Sequence, residues 1–152
     1  MKRTFFAALP IAFASCVLLV SDVGQRKPSA GRIPRVAVLQ HASQAVLDDA
    51  VSGMMAGLSG AGYTQGRNIS IERFNAQNDL ATENAIAKQI EAGRYNMVLT
   101  ASTLSLQTMA NANRAGKMPH VFGAVADPPS AGVGISRNDP LSHPKWMCCE
   151  YR

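Results

Sequence analysis

The hexapeptide Arg35-Val36-Ala37-Val38-Leu39-Gln40 is the stretch that decides the fold. It is a short apolar run rich in β-branched residues, and Pro34 and His41 bound it on either side. Continuous apolar runs of this length are typical of strands that are buried on both faces, as in parallel sheets. We therefore predict a buried parallel strand at 35–40.

Strand and helix patterns alternate along the chain after this first strand. Further strands are predicted at 68–74, 96–100 and 120–125, and helices at 43–61, 79–92 and 104–113. Alternation of this length indicates βαβ units, which place a parallel sheet between helices on both faces. The predicted fold class is α/β with a flavodoxin-like strand order. With 152 residues, of which 47% are apolar, the chain is long enough to bury such a core.

Charge is distributed unevenly between the start of the chain and the rest. Residues 1–35 contain six Lys or Arg and one acidic residue, whereas residues 36–152 contain nine basic and nine acidic residues. A predicted folded part with no net charge lacks the basic surface that nucleic-acid binding requires. We therefore expect no nucleic-acid partner.

Residues 1–20 have the pattern of an export signal. Three residues, Met1-Lys2-Arg3, form a basic start, and an apolar run from 5 to 20 follows. The alternatives are a signal cleaved after Ala14 and an uncleaved anchor. Phe13-Ala14-Ser15-Cys16 resembles a bacterial lipoprotein box, in which Cys16 is lipidated; otherwise Cys16 is an apolar residue of the signal core. Residues 21–34 are polar with Gly and Pro, which predicts a flexible tether.

Polar residues follow each predicted strand of the sheet. Ligands of parallel α/β sheets bind beyond the carboxyl ends of the strands, and helix N-termini at that edge favour carboxylate or phosphate groups. This rule selects four loops, at 41–43, 75–77, 100–103 and 126–128. The alternative interpretation is that Ser43, Ser102 and Thr103 serve only as helix caps.

The sequence contains none of the motifs that would indicate an enzyme of this fold class. It has no glycine-rich dinucleotide loop after a strand, no Walker loop and no nucleophile elbow, and residues 17–147 contain no cysteine. The receiver-domain alternative requires acidic residues where Gln40 and Thr100 stand. The three histidines are scattered, so we expect no metal site. We predict a protein without catalytic activity and without a cofactor.

Six short segments follow one another in this order: Val36–His41, Gly57–Tyr63, Gly66–Asn68, Asn75–Asp79, Ala101–Thr103 and Val125–Pro128. Together they resemble the exported substrate-binding proteins of ABC transporters, in particular the family that takes tryptophan, tyrosine or phenylalanine, and the resemblance covers about residues 35–132. Leu104 departs from the family pattern, which often has proline there. The resemblance implies a lobe like the N-terminal one of a two-lobed periplasmic binding protein, with the ligand held between the lobes.

What the resemblance implies for the site is a set of ligand-facing residues. They are His41, Asn75, Thr100, Ser102, Thr103 and Asp127. A polar loop with a helix N-terminus would hold the α-carboxylate of an amino acid, and Asp127 would meet its ammonium group. The implied partners are a small solute and an ABC permease in the membrane. The implied location is the periplasm or the outer side of the cytoplasmic membrane.

The family pattern ends before the chain does. Residues 35–132 are predicted to form the N-terminal lobe and residues 133–152 an irregular tail outside the family. A single lobe encloses one side of a ligand, whereas most sites bury nearly all of it. We therefore expect a truncated copy that binds weakly. The competing hypotheses are a small flavodoxin-like enzyme and a tethered protein-interaction domain.

Overall fold

A computed structural model describes residues 32–133 and 146–148 of the chain. The strands are β1 (Arg35–Gln40), β2 (Ser70–Asn75), β3 (Met97–Ala101), β4 (His120–Gly123) and β5 (Trp146–Cys148), the helices are α1 (Ala45–Gly60), α2 (Leu80–Ala92) and α3 (Thr103–Ala112), and a 3₁₀ turn covers Pro129–Ala131. Of the helices within these ranges, none has the length and hydropathy needed to cross a membrane.

The five strands form one parallel sheet in the order β2-β1-β3-β4-β5. β1 lies between β2 and β3, so Val36 is opposite both Ile71 and Met97. From β1 the chain passes to β2 at one edge of the sheet, and it then returns to form β3 on the opposite side of β1. The point where strand order reverses therefore lies between β1 and β3. The predicted α/β fold class and the flavodoxin-like order are both confirmed.

The core has two layers because both faces of β1 are buried. Val36 and Val38 face the layer under α1, which contributes Val51 and Met54. The alternate residues of β1, Ala37 and Leu39, face the layer under α2 and α3: Ala87, Ile90 and Met109. Each fully buried valine, leucine, isoleucine or methionine side chain of these layers stabilises the fold by roughly 1.5–3 kcal/mol. The need to fill both layers explains why the hexapeptide is apolar throughout rather than alternating.

Several predicted boundaries differ from the structure by one or two residues. β2 begins at Ser70 rather than at Asn68, whose side chain closes the preceding turn by accepting from Thr64 N at 2.6 Å and donating to Gly62 O at 2.9 Å. The N-cap of α1 is Gln44, without a side-chain cap bond, and not Ser43 as predicted. β4 ends at Gly123, two residues before the predicted end.

The described residues leave out nearly all of the N-terminal segments predicted from the sequence but include part of the predicted tail. The predicted signal at 1–20, its cleavage site at Ala14, the lipidation candidate Cys16 and the tether up to residue 31 lie outside them. Within the predicted irregular tail, Trp146–Cys148 forms β5 and pairs with β4. The structure therefore contains a strand in a segment for which the sequence predicts none.

Candidate functional site

The carboxyl ends of β1 to β4 meet at one edge of the sheet, which we call the carboxyl rim. It comprises the segments that follow these strands, 41–44, 76–79, 102–103 and 124–128, together with Asn75, the last residue of β2. The reversal of strand order between β1 and β3 lies at this edge. In open α/β sheets this is the place where ligands bind. The rim is therefore the candidate site.

The first two loops of the rim are tied together by hydrogen bonds. His41 O accepts from Asn78 N at 2.9 Å, and Asn75 Nδ2 donates to Ser43 Oγ at 2.8 Å. Asn75 Oδ1 also accepts from Gln77 N at 2.8 Å. Gln77 and Asn78 both have positive φ angles, 53° and 65°, which lets the chain turn sharply into α2. The structure thus brings the predicted residues His41 and Asn75 into one bonded unit.

His41 is held from both sides of its ring. It is 9% exposed, its Nδ1 lies 2.8 Å from Glu83 Oε2, and its Nε2 lies 3.1 Å from Asn78 Oδ1. Glu83 belongs to α2 and is fully buried, and its other oxygen accepts from Ser105 Oγ at 2.6 Å. A buried carboxylate is tolerated when its oxygens have donors of this kind. His41 is therefore a fixed part of the rim.

The third loop contains the rim's most strained residue. Ser102 caps α3 by accepting from Ser105 N at 3.1 Å, and it has φ 119° and ψ 159°. This region of backbone conformation is nearly restricted to glycine and costs about 1–3 kcal/mol, and such strain is found mostly at functional sites. Ser102 N donates to Gly123 O at 3.2 Å, which joins the ends of β3 and β4. Thr103 follows as the first residue of α3.

Thr100 is placed inside the sheet rather than in the loop. It belongs to β3, is fully buried, and its Oγ1 lies 2.8 Å from His120 Nε2. Burial lowers the pKa of His120 to about 3, so its ring is neutral at neutral pH. The hydroxyl of Thr100 is thus engaged with an interior histidine, whereas Ser102 and Thr103 lie at the rim.

Asp127 lies in the fourth loop, after β4. Its Oδ2 accepts from Ser130 Oγ, and its backbone oxygen accepts from Ala131 N at 3.2 Å, so it anchors the 3₁₀ turn. The carboxyl group is partly exposed. Asp127 therefore brings a carboxylate to the same edge of the sheet as the other rim loops.

Three exposed apolar side chains stand at the helix starts that border the rim. Val46, Leu80 and Leu104 are 63%, 52% and 40% exposed, and each lies in the first turn of its helix. A helix N-terminus attracts anions through its dipole and its backbone N–H groups. The rim thus combines anion-favouring helix ends with apolar contact surface, which suits a small molecule that has both a carboxylate and an apolar part.

A cavity of about 230 Å³ lies beside the rim on the α1 side of β2. Its lining includes the rim residues Ser43 and Asn75, together with Gln40, Asp48 and Arg73. Two of these residues are bonded to each other, since Gln40 Nε2 donates to Asp48 Oδ1 at 2.6 Å. Ligand pockets usually measure about 300–1,000 Å³, so this cavity is small for a complete site.

Three residues in contact with His41 or Ser102 are not among the predicted site residues: Asn78, Glu83 and Ser105. Glu83 had a detectable signal, because it lies four and seven residues before the buried Ala87 and Ile90 and therefore on the inward face of α2. A carboxylate on an inward face requires a buried partner. Among residues 32–133 and 146–148, no three His, Cys, Asp or Glu side chains are grouped in a way that would hold a metal ion.

Comparison with known proteins gives consistent matches. The family model described as ABC transporter substrate binding protein matches residues 35–142, past the predicted lobe boundary at 132. The chain is 31% identical over 115 residues to a tyrosine-binding protein of Clostridioides difficile, covering 76% of this chain and 33% of that protein. The chain thus spans about a third of this relative's length.

Solved structures with the same fold include two from other bacteria. One is an ABC domain from Streptococcus pneumoniae in complex with L-Trp, with a TM-score of 0.61 and 27% identity, covering 66% of this chain and 33% of that one. The other is a conserved domain protein from Vibrio cholerae, with a TM-score of 0.70 and 26% identity, covering 77% of this chain and 38% of that one.

Proposed function

Because the chain belongs to the family of ABC transporter substrate-binding proteins, we propose that its carboxyl rim binds an amino acid, and an aromatic one in particular. The observation that carries the proposal is that His41 and the strained Ser102 follow β1 and β3, the two strands between which the strand order reverses, with Asn75 at the end of the neighbouring β2. The proposed role is binding without chemical conversion of the solute. Relatives named for tyrosine and crystallised with L-Trp support the choice of an aromatic solute.

The proposed recognition assigns each part of an amino acid to a different part of the rim. The α-carboxylate meets the N-terminus of α3 and the hydroxyls of Ser102 and Thr103. The ammonium group meets Asp127, and the side chain packs against Leu104. His41 and Asn75 close the rim on the β1 and β2 side. Thr100 contributes indirectly, since its hydroxyl supports the interior of the sheet.

The proposed physiological role is uptake. The chain would be exported, remain in the periplasm or anchored to the outer side of the cytoplasmic membrane, and deliver its solute to an ABC permease. The described residues supply the rim and the small cavity beside it. A surface of this kind buries one side of a ligand, so we propose roughly millimolar affinity for these residues, which corresponds to about 4 kcal/mol of binding free energy.

The test is a titration of the ¹⁵N-labelled chain with L-tryptophan, followed by amide NMR. Binding at the rim shifts the amide signals of His41, Ser102 and Thr103, and L-glutamate at the same concentrations shifts them less. Loss of a charge-assisted bond to the ammonium group means that Asp127→Asn weakens L-tryptophan binding about tenfold.

The matched control is Asp49→Asn, the same chemical change at an exposed position of α1 outside the rim loops. It should leave the affinity unchanged. Shifts that occur only away from the rim, or an affinity that both substitutions change equally, would contradict the proposed site.

A further inference from the structure

A continuous line of hydrogen bonds joins the first and third loops of the rim through a buried carboxylate. Ser102 Oγ lies 3.1 Å from Ser105 Oγ, and Ser105 Oγ donates to Glu83 Oε1 at 2.6 Å. The other carboxylate oxygen, Oε2, lies 2.8 Å from His41 Nδ1, and His41 Nε2 lies 3.1 Å from Asn78 Oδ1. Glu83 is thus the central member of a five-residue line that spans α3, α2 and the end of β1.

The position of Glu83 does not by itself require a charged residue. It shares the inward face of α2 with Ala87 and Ile90, both buried and apolar. Replacing a buried ionic group with a well-packed apolar one is often neutral or stabilising. A gain in folding stability is therefore a weak explanation for a carboxylate at this position. A fully buried carboxylate with donors on both oxygens is instead suited to fixing the orientation of those donors.

The carboxylate determines how the ring of His41 is presented. An ionised carboxylate only accepts hydrogen bonds, so Nδ1 of His41 must carry the proton that points to Glu83. Nε2 faces Asn78 Oδ1 at 3.1 Å, and because an amide oxygen only accepts, this contact is a hydrogen bond only when Nε2 also carries a proton. A partner of this kind fixes both the tautomer and the orientation of an imidazole, as carboxylates do for metal-binding histidines.

The same carboxylate also restrains the start of α3. Ser105 donates its hydroxyl to Glu83 and its backbone N–H to the Ser102 cap. Ser102 has the positive φ angle that turns the chain into the helix. Residues in such conformations persist when surrounding contacts over-determine them, and the bond to Glu83 is one such contact.

We propose that Glu83 is a positioning residue for solute binding, which sets His41 and the N-terminus of α3 in one geometry before the solute arrives. The inference rests on the proposed function, since it concerns the same rim. Setting both groups in advance removes an ordering cost from binding. Glu83 is not proposed to touch the solute.

The test compares Glu83→Gln with the wild-type chain in two measurements. Glutamine keeps the size of the side chain but offers one acceptor oxygen where the carboxylate offers two. The ring ¹⁵N signals of His41 in the solute-free chain report its tautomer, and they should change from protonated Nδ1 to a mixture. L-tryptophan binding, measured by amide NMR, should weaken about tenfold.

Glu91→Gln is the matched control, because it is the same substitution on the same helix. Glu91 forms a more exposed ion pair with Lys117 at 2.9 Å. It should leave both the His41 signals and the affinity unchanged. Ser105→Ala serves as a second variant if Glu83→Gln fails to fold. It cuts the line on the α3 side only, so the His41 tautomer should stay while the affinity falls several-fold.

The outcomes separate this inference from the proposed function. If the wild-type chain binds L-tryptophan and Glu83→Gln binds it equally well, Glu83 has no positioning role although the proposed function stands. If the wild-type chain shows no binding at the rim, the proposed function fails and the inference fails with it. An unchanged His41 tautomer in Glu83→Gln also overturns the inference.

Discussion

Two buried histidines of this protein have different partners. His120 is 1% exposed inside β4, and its Nε2 lies 2.8 Å from the hydroxyl of Thr100. His41 is 9% exposed at the rim, and its Nδ1 lies 2.8 Å from the carboxylate of Glu83. Burial alone lowers the pKa of His120 to about 3, which makes it a neutral packing residue.

The difference shows that burial does not define the role of a histidine, whereas its partner does. A hydroxyl partner lets an imidazole stay neutral and fill space in the sheet. A carboxylate partner fixes the proton on one ring nitrogen and holds the ring at an edge of the molecule. Both sites are polar contacts in a largely apolar core, but only the His41 site lies where strand order reverses.

The largest expected effect is on the free energy of unfolding when each histidine is replaced, one at a time, with leucine. His41→Leu leaves the buried Glu83 with a single donor, and removal of one member of a buried pair costs about 3 kcal/mol of unfolding free energy. His120→Leu removes a neutral hydrogen bond and should cost about 1 kcal/mol. Urea unfolding at pH 7 measures both. Equal losses would show that the carboxylate makes no difference.

The next prediction concerns the pH dependence of stability that follows from the lowered pKa of His120. Folded His120 stays neutral down to about pH 3, whereas the unfolded chain takes up this proton below its ordinary pKa of 6.5. The unfolded state therefore binds more protons in this window, and stability falls as the pH drops from 6.5 towards 3. The expected loss is about 1 kcal/mol per pH unit.

Urea unfolding between pH 7 and 4 tests this dependence. The range stops above the ordinary pKa of Asp79, 3.8, because hydrogen bonds to Thr82 and Ala81 lower the pKa of that carboxyl and add their own acid sensitivity below it. His120→Leu should flatten the pH profile. A variant that keeps the wild-type slope would show that another group is responsible.

The smallest effect concerns backbone strain at the rim. Ser102→Gly removes the strain of φ 119° and loses only a few tenths of a kcal/mol as a helix cap, so we expect a gain of about 1 kcal/mol in stability. Ser102→Ala keeps the strain and loses the cap, so it should be destabilised by about 1 kcal/mol. Thermal unfolding compares the two. If Ser102→Gly unfolds at a lower temperature than the wild-type chain, the backbone of Ser102 is not strained.

Structural features could be predicted from the sequence where they depend only on the residues of one short segment. β1 was predicted with its observed bounds, because a strand buried on both faces must be apolar throughout. The start of the helix predicted at 79–92 also follows from local chemistry, since Asp79 caps α2 by accepting from Ala81 N and Thr82 N. The family resemblance is confirmed by the match over residues 35–142.

The remaining contacts could not be predicted because they join distant segments. Ser43 has the residue type of a cap, yet its hydroxyl accepts from Asn75, and the N-cap of α1 is the next residue, Gln44. His41 and Glu83 are 42 residues apart, so their bond depends on how α2 packs beside the end of β1. Pairing of Gln40 with Ala101 extends β3 one residue past Thr100, the predicted end of the strand, so Thr100 lies inside the sheet rather than at its edge.

The central place of β1 also has a consequence for the order of folding. β1 is made first among the strands, but its second neighbour arrives only with β3: the contact of Arg35 N with Asn96 Oδ1 closes a loop of 61 residues. Closing such long loops slows folding, because chain entropy is lost before the contacts that compensate for it exist. As the chain leaves the ribosome, β1 therefore keeps one unpaired, apolar edge until β3 has emerged.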